Sequence, residues 1–340
     1  MFLLSNKNLK TLFVLTVCSI LVITNQARSE SGNVTTKCKH SCFDRSIYRK
    51  AGYDKNKKEL LLKGEFLYWK GTLSNIKESF GNTEIEIKNS ENTKITKLEE
   101  SFKMPDAKWR AGFRVGADFI FDNFDLEADW THFHGFADYK HHSQHGAWNL
   151  HFDQVDLALG HYFYPFSSCY LKPFIGLRIA NINQTLKSHL ETIKTEPTQE
   201  TTITTKMHDR EKFLGIGPEV GLEANYYLGK NFSLYGMVDA ATYYGHVNNK
   251  YHDVSSYTNT VNDNNLKQKD WFNSICTDAT LGVRWDKYTT CCKHYDMHFL
   301  LKLGVEQHRI YNFCNVSSQE TDGTLSLDGA VLEAGIGFRF

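Results

Sequence analysis

The sequence predicts an all-β chain, a single antiparallel transmembrane β-barrel with an even number of strands between 10 and 16. Three observations predict it. A period of two runs through most of the chain from Leu60 onward. Aromatic residues are abundant, with 23 Phe, 17 Tyr and 6 Trp, while Pro numbers only 5. The final segment, from Ala330, alternates strictly and ends on Phe340. Mean hydropathy is negative, which a barrel tolerates because only every second residue of a spanning strand need be apolar. Beyond the N-terminal region there is no long apolar stretch, which excludes helical spans.

The N-terminus reads as an export signal. Lys7 and Lys10 precede an apolar run from Leu12 to Ile23, followed by small and polar residues up to Ala27. That run is about 12 residues, shorter than the roughly 20 a spanning helix needs. The expected organisation is a signal peptide over 1–27, a polar leader over 28–59 and the barrel over 60–340, with long extracellular loops. Export places the barrel in the bacterial outer membrane, with membrane lipid as its surroundings. Basic and acidic residues balance at 39 each, so nothing favours nucleic acid.

The clearest strand is Lys108 to Phe121. Trp109, Ala111, Phe113, Val115, Ala117, Phe119 and Phe121 form an apolar face, opposed by Arg110, Gly112, Arg114, Gly116 and Asp118. The pattern repeats at Phe124–Trp130, where Leu126, Ala128 and Trp130 oppose Asp125, Glu127 and Asp129. It recurs over 151–163, 170–180, 214–224, 232–244, 275–285, 295–306 and 330–340, and the first strand is read over Leu60 to Lys70. Asp122-Asn123 and Pro165 to Cys169 read as short periplasmic turns. Polar stretches at 71–106, 135–149, 181–211, 246–270 and 307–324 read as long surface loops.

The faces opposite the apolar rows supply the lumen. Its expected lining is Arg110, Arg114, Asp118, Asp125, Glu127, Asp129, Arg178, Glu219, Glu223, Arg284, Lys302 and Glu306, joined by Asp156, Lys172 and Asp278. This mixture of signs holds water without trapping one ion. A barrel at the small end of the strand range would instead have an interior filled by side chains.

Reaction chemistry finds little support. His141, His142 and His145 lie in an expected loop without a companion cysteine and assign no metal site. Asp125, Glu127 and Asp129 share a face and could activate water, but lumen lining explains them better. No catalytic residue and no cofactor is assigned. Removing the signal with Cys18 leaves seven cysteines, an odd number. Cys38, Cys42, Cys169, Cys291 and Cys292 are the candidates for disulfide cross-links to other envelope proteins, and Cys276 with Cys314 is a candidate pair near the outer rim. Scattered thiols with no linking role remain the alternative.

Several segments carry a family resemblance: Gly64-Glu65-Phe66-Leu67-Tyr68-Trp69, Phe124-Asp125-Leu126-Glu127-Ala128-Asp129-Trp130, Leu171-Lys172-Pro173-Phe174-Ile175-Gly176-Leu177-Arg178, and Gly215-Ile216-Gly217-Pro218-Glu219-Val220-Gly221-Leu222. Phe232-Ser233-Leu234-Tyr235-Gly236 and Leu281-Gly282-Val283-Arg284-Trp285 complete the set. In this order they resemble the major outer membrane protein-like family of environmental chlamydiae and Legionella. The resemblance implies an abundant surface porin, and a cysteine-linked envelope component. Glu219 stands where this run commonly has a basic residue, so an inherited ion preference does not transfer. The expected function is passive diffusion of small hydrophilic solutes. The alternative is a closed barrel scaffold whose surface loops act in adhesion or host contact. By analogy with other porins, a homo-trimer is also expected.

Overall fold

The computed structural model describes residues 58–74, 106–141, 144–166, 168–196, 199–257, 260–292, 295–313 and 323–339. The expected signal peptide, nearly all of the leader, and Cys38, Cys42 and Cys314 lie outside these residues. The strands are β1 (Glu59–Leu73), β2 (Asp106–Ala107), β3 (Trp109–Phe121), β4 (Phe124–His141), β5 (Gln144–His161) and β6 (Phe163–Phe166). They continue with β7 (Cys169–Glu196), β8 (Gln199–Gly229), β9 (Phe232–Tyr257), β10 (Thr260–Cys292), β11 (Tyr295–Tyr311) and β12 (Thr324–Arg339).

Apart from the short β2 and β6, each strand pairs antiparallel with the next, and β12 returns to β1 with Glu59 opposite Arg339 and Leu73 opposite Leu325. The result is a closed barrel of ten strands, at the lower bound of the expected range. Closure pairs the backbone groups that an open sheet would leave at its edges, which a bilayer interior requires.

Alternation sets the two faces. On β1, Leu60, Leu62, Phe66 and Tyr68 point outward, and Leu61, Lys63, Glu65, Leu67 and Trp69 are buried inside. Aromatic pairs collect on the outer face at both ends. Phe119, Phe121 and Phe124 stack in series near the β3–β4 turn, with His161 edge-on to Phe124. Tyr68 stacks on Trp109, and Tyr244 on Trp271, toward the other end. Such girdles mark the two interfaces of an outer-membrane barrel. The β8–β9 turn is tight because Lys230 and Asn231 both take positive φ, at 50° and 71°, as a type I′ hairpin requires.

The structure corrects the expected surface loops. The described residues of 135–149, 181–211 and 246–270 are not loops but paired strand that continues beyond the apolar band. β7 and β8 stay in register out to Glu196 opposite Gln199, and β9 and β10 out to Tyr257 opposite Thr260. Their polar Thr, Asn and Lys residues suit a two-sided strand in water, where hydrophobic alternation is lost but the ladder persists. Pro165 and Phe166, expected in a turn, belong to β6, which pairs with the start of β7.

Candidate functional site: the barrel interior

The interior has two zones stacked along the barrel. The zone nearer the short turns is charged, and several of its cations bind more than one acid. Lys63 Nζ lies 3.0 Å from both Asp118 and Asp129 and also contacts Glu127. Lys172 Nζ reaches Asp125 at 2.9 Å, Glu223 at 3.0 Å and Glu127 at 3.3 Å. Arg114 donates to Glu65 and to Glu306, each at 2.8 Å. Arg284 pairs with Asp286 at 2.8 Å and donates to the Tyr170 hydroxyl at 3.0 Å, and Lys302 pairs with Glu333 at 3.0 Å. Arg339 closes the seam through Glu59 at 2.6 Å, and His298 bridges Glu59 and Asp286.

Arg178 is the most heavily surrounded cation. It lies 2.6 Å from Asp156, 2.7 Å from Glu219, 3.1 Å from Asp239 and 2.6 Å from Asp278. Glu219, expected to make the lumen acidic, is therefore tied to this guanidinium.

The second zone, toward the long hairpins, is apolar. Trp69, Phe133, Trp148, Phe152 and Phe213 fill it, each at most 1% exposed. They pack with Leu67, Leu150, Ile182, Ile310 and Leu327 as one cluster. Ring contacts join non-neighbouring strands, Trp69 of β1 to Phe133 of β4 at 5.5 Å, and join Phe213 of β8 to Phe313 just after β11 at 5.7 Å. Gly245 makes room for Phe213, since a Cβ there would stand 2.6 Å from Cε2 of that ring. Two polar groups of this zone are paired, Trp148 Nε1 donating to Gln184 Oε1 at 3.1 Å and the Tyr243 hydroxyl donating to Gln154 Oε1 at 3.0 Å, while the buried Trp69 Nε1 has no hydrogen-bond partner.

Between them the zones occupy the lumen. The polar cavity in the charged zone, lined by residues such as Asp118, Glu127, Tyr162, Arg284 and His298, is about 80 Å³, room for only a few waters. A larger concavity of about 900 Å³ lies on the outer wall, against Leu222, Val238, Leu281 and Ala330.

Eleven of the twelve expected lining residues point inward into this network: Arg114, Asp118, Asp125, Glu127, Asp129, Arg178, Glu219, Glu223, Arg284, Lys302 and Glu306. Arg110 is not among them. It is exposed, and its guanidinium lies 5.5 Å from the Phe136 ring centre. Missing from the expectation were Glu59, Lys63, Glu65, Glu333 and Arg339, and the whole apolar zone. The signal for that zone was parity. Phe133 and Ala137 continue the row of Asp125, Glu127 and Asp129, just as Ile182 and Leu186 continue that of Lys172 and Arg178.

Among the described residues, Cys169 opens β7 as a half-buried free thiol and Cys276 is a buried free thiol inside the barrel. Cys276 is thus not at the outer rim, where pairing with Cys314 was expected. Cys291 and Cys292 end β10, with side chains outside the description. Two clusters hold metal-ligating groups close together: Cys276 with Asp278 and His308, and Asp118 with Glu127 and Asp129. Lys63 already occupies the second as its counter-charge.

Residues 54–334 match the family model described as Legionella pneumophila major outer membrane protein precursor. No curated protein matches the sequence. Among solved structures, the chain is similar to the outer membrane protease OmpT from Escherichia coli, at 11% identity and TM-score 0.39, covering 84% of this chain and 97% of that one. It is also similar to the Pseudomonas putida toluene transporter TodX, at 8% identity and TM-score 0.31, covering 85% and 90%. A third is Ail, the attachment invasion locus protein of Yersinia pestis, at 11% identity and TM-score 0.22, covering 84% and 99%. At these levels none of the three bears on activity.

Proposed function

The chain belongs to the family of the Legionella pneumophila major outer membrane protein, and from that premise we propose that it is a closed outer-membrane scaffold whose surface hairpins act in adhesion or host contact. The filled interior carries this reading. Passive diffusion needs a continuous wetted path of solute width. Here five aromatic side chains at most 1% exposed stand across one zone, and multidentate ion pairs bind the other zone wall to wall. Ten strands lie close to the size at which side chains fill a barrel.

What the barrel holds up are paired hairpins. β7–β8 and β9–β10 extend the sheet well past the aromatic pair Tyr244–Trp271. On the β10 arm, residues 261–271 are exposed throughout, Val261, Leu266 and Trp271 among them. An extended, register-locked sheet offers a partner a preformed surface, which lowers the ordering cost of binding. A homo-trimer, and cross-links through Cys169, Cys291 or Cys292, are additions to this reading that crosslinking and non-reducing gels would test.

The deciding experiment replaces 248–269, and separately 188–207, by a two-residue turn in the refolded protein, which spares the interior residues Ile182, Leu186 and Val247. Binding to host cells is then scored against the intact barrel. Loss of binding with an unchanged barrel supports the scaffold. Unchanged binding for both shortened forms, together with ion conductance of the intact protein, returns the function to solute diffusion.

A further inference from the structure

We propose that Cys276, Asp278 and His308 form a site for a divalent transition metal of the zinc class, buried in the barrel at the boundary between the charged and apolar zones. Strand register assembles it. Cys276 and Asp278 are two residues apart on β10, so both point inward. Asp278 stands opposite His308 on β11 and opposite Asp239 on β9. One row across three strands therefore carries Asp239, Asp278 and His308, with the thiol beside it.

The separations suit shared coordination. Cys276 Sγ lies 3.7 Å from both ring nitrogens of His308 and 3.7 Å from Asp278 Oδ1. Tetrahedral ligands at the usual zinc–sulfur and zinc–nitrogen distances stand about 3.5 Å apart. Asp278 Oδ1 and His308 Nδ1 are in direct contact and would open slightly around an ion. Arg178 Nη1 holds the other oxygen of Asp278 at 2.6 Å and lies 3.4 Å from Cys276 Sγ, so it flanks the site as an outer-shell donor to both ligands and leaves Asp278 Oδ1 and the His308 ring free of it.

Two further observations point to a missing cation. Around the Arg178 guanidinium stand four carboxylates, Asp156, Glu219, Asp239 and Asp278, an acid excess in a dry setting. Asp239 has a side chain at 0% exposure and meets Arg178 through Oδ1 at 3.1 Å, and its other oxygen, Oδ2, has no hydrogen-bond partner. Buried polar atoms without partners ask for an unrecorded water or ion. Phe152 covers the far side of His308, ring to ring at 5.1 Å, and keeps bulk water from competing. A thiolate with an imidazole selects zinc-class ions over calcium or magnesium. On binding, Cys276 loses its proton to solvent and His308 is held as neutral imidazole. Because the ligands are buried, loading accompanies folding, and the ion would rivet β10 to β11 beneath the apolar zone.

The test refolds the full chain with Zn²⁺ and separately with Co²⁺, removes loose metal, and measures retained metal and absorption. The expected wild type keeps one equivalent, and its cobalt form shows a thiolate-to-cobalt band in the near ultraviolet. Cys276→Ala should abolish that band while the other cysteines remain. His308→Gln should weaken retention at least about tenfold. X-ray absorption at the zinc edge of the wild type needs no variant to fold, and should read one sulfur at about 2.3 Å. Folded wild type that retains no metal overturns the site. So does a cobalt band indifferent to Cys276→Ala, or a zinc shell without sulfur.

Discussion

Arg178 on β7 reaches Asp278 on β10 at 2.6 Å, across an interior whose intervening wall is β8 and β9. A guanidinium that bridges strands three apart in a ten-stranded barrel fills part of the interior at that level. It also sets the first prediction. Removing one partner of a buried ion pair strands the other charges, at a cost of roughly 3–5 kcal/mol. Arg178→Ala should lower the urea midpoint of the detergent-folded protein by that order. Arg178→Ala combined with Asp278→Asn should recover part of the loss. Equal midpoints for wild type and Arg178→Ala would show that the belt contributes nothing to stability.

The apolar zone should behave as a protein core. Phe213→Ala removes a ring that touches Tyr243, Phe272 and Phe313 and should cost about 3–5 kcal/mol. Denaturant unfolding in detergent reads this directly. A change below about 1 kcal/mol would mean that the zone collapses freely or is hydrated.

The outward rows give a depth-dependent prediction. Leu281 and Val238 are exposed on the wall, within the band between the aromatic girdles. An arginine at either position should destabilise the vesicle-inserted barrel by about 2–4 kcal/mol. An arginine at Leu266, out on the β10 arm, should be nearly neutral. Equal costs at all three sites would contradict the assigned membrane band.

Asp209 predicts a pH effect in the hairpin extension. It is 2% exposed, and neither carboxylate oxygen has a hydrogen-bond partner. Burial first, then the neighbouring Glu211, pushes its pKa up to about 7 from 3.8. An acid raised in the folded state is harmless while protonated, so the destabilisation develops as pH rises from about 4 to about 7. Asp209→Asn should therefore leave stability unchanged near pH 4 and raise it above pH 7, by about 1–3 kcal/mol. Thermal unfolding of both proteins across that range checks the sign, and a gain confined to low pH would refute it.

Much of the wall was legible in the sequence because its physics is local. Trp109 to Phe119 alternates, and the structure keeps that face assignment from Ala111 onward, with Arg110 exposed at the strand's start. The hairpin extensions were hidden because the alternation that marks a strand fades where both faces meet water. Residues 246–270 look like loop in composition and become strand only through pairing. The interior was half legible. Charge at alternate positions identified Asp125, Glu127 and Asp129 as inward. Whether such residues face an open lumen or one another depends on strand number and on partners far away in sequence, such as Arg114 with Glu306. Phe133 and Trp148 share the inward parity of those acids. Read to its end, that parity marks the interior as apolar toward the hairpins.

Planar-bilayer conductance of the refolded protein tests the closed scaffold most directly. A barrel filled by the Trp69–Phe133–Phe213 cluster and the Arg178 belt should give no discrete, steady channels above the lipid background, with the hairpins intact or shortened. Reproducible single-channel steps from the intact protein would contradict the closed scaffold and establish a path for solutes.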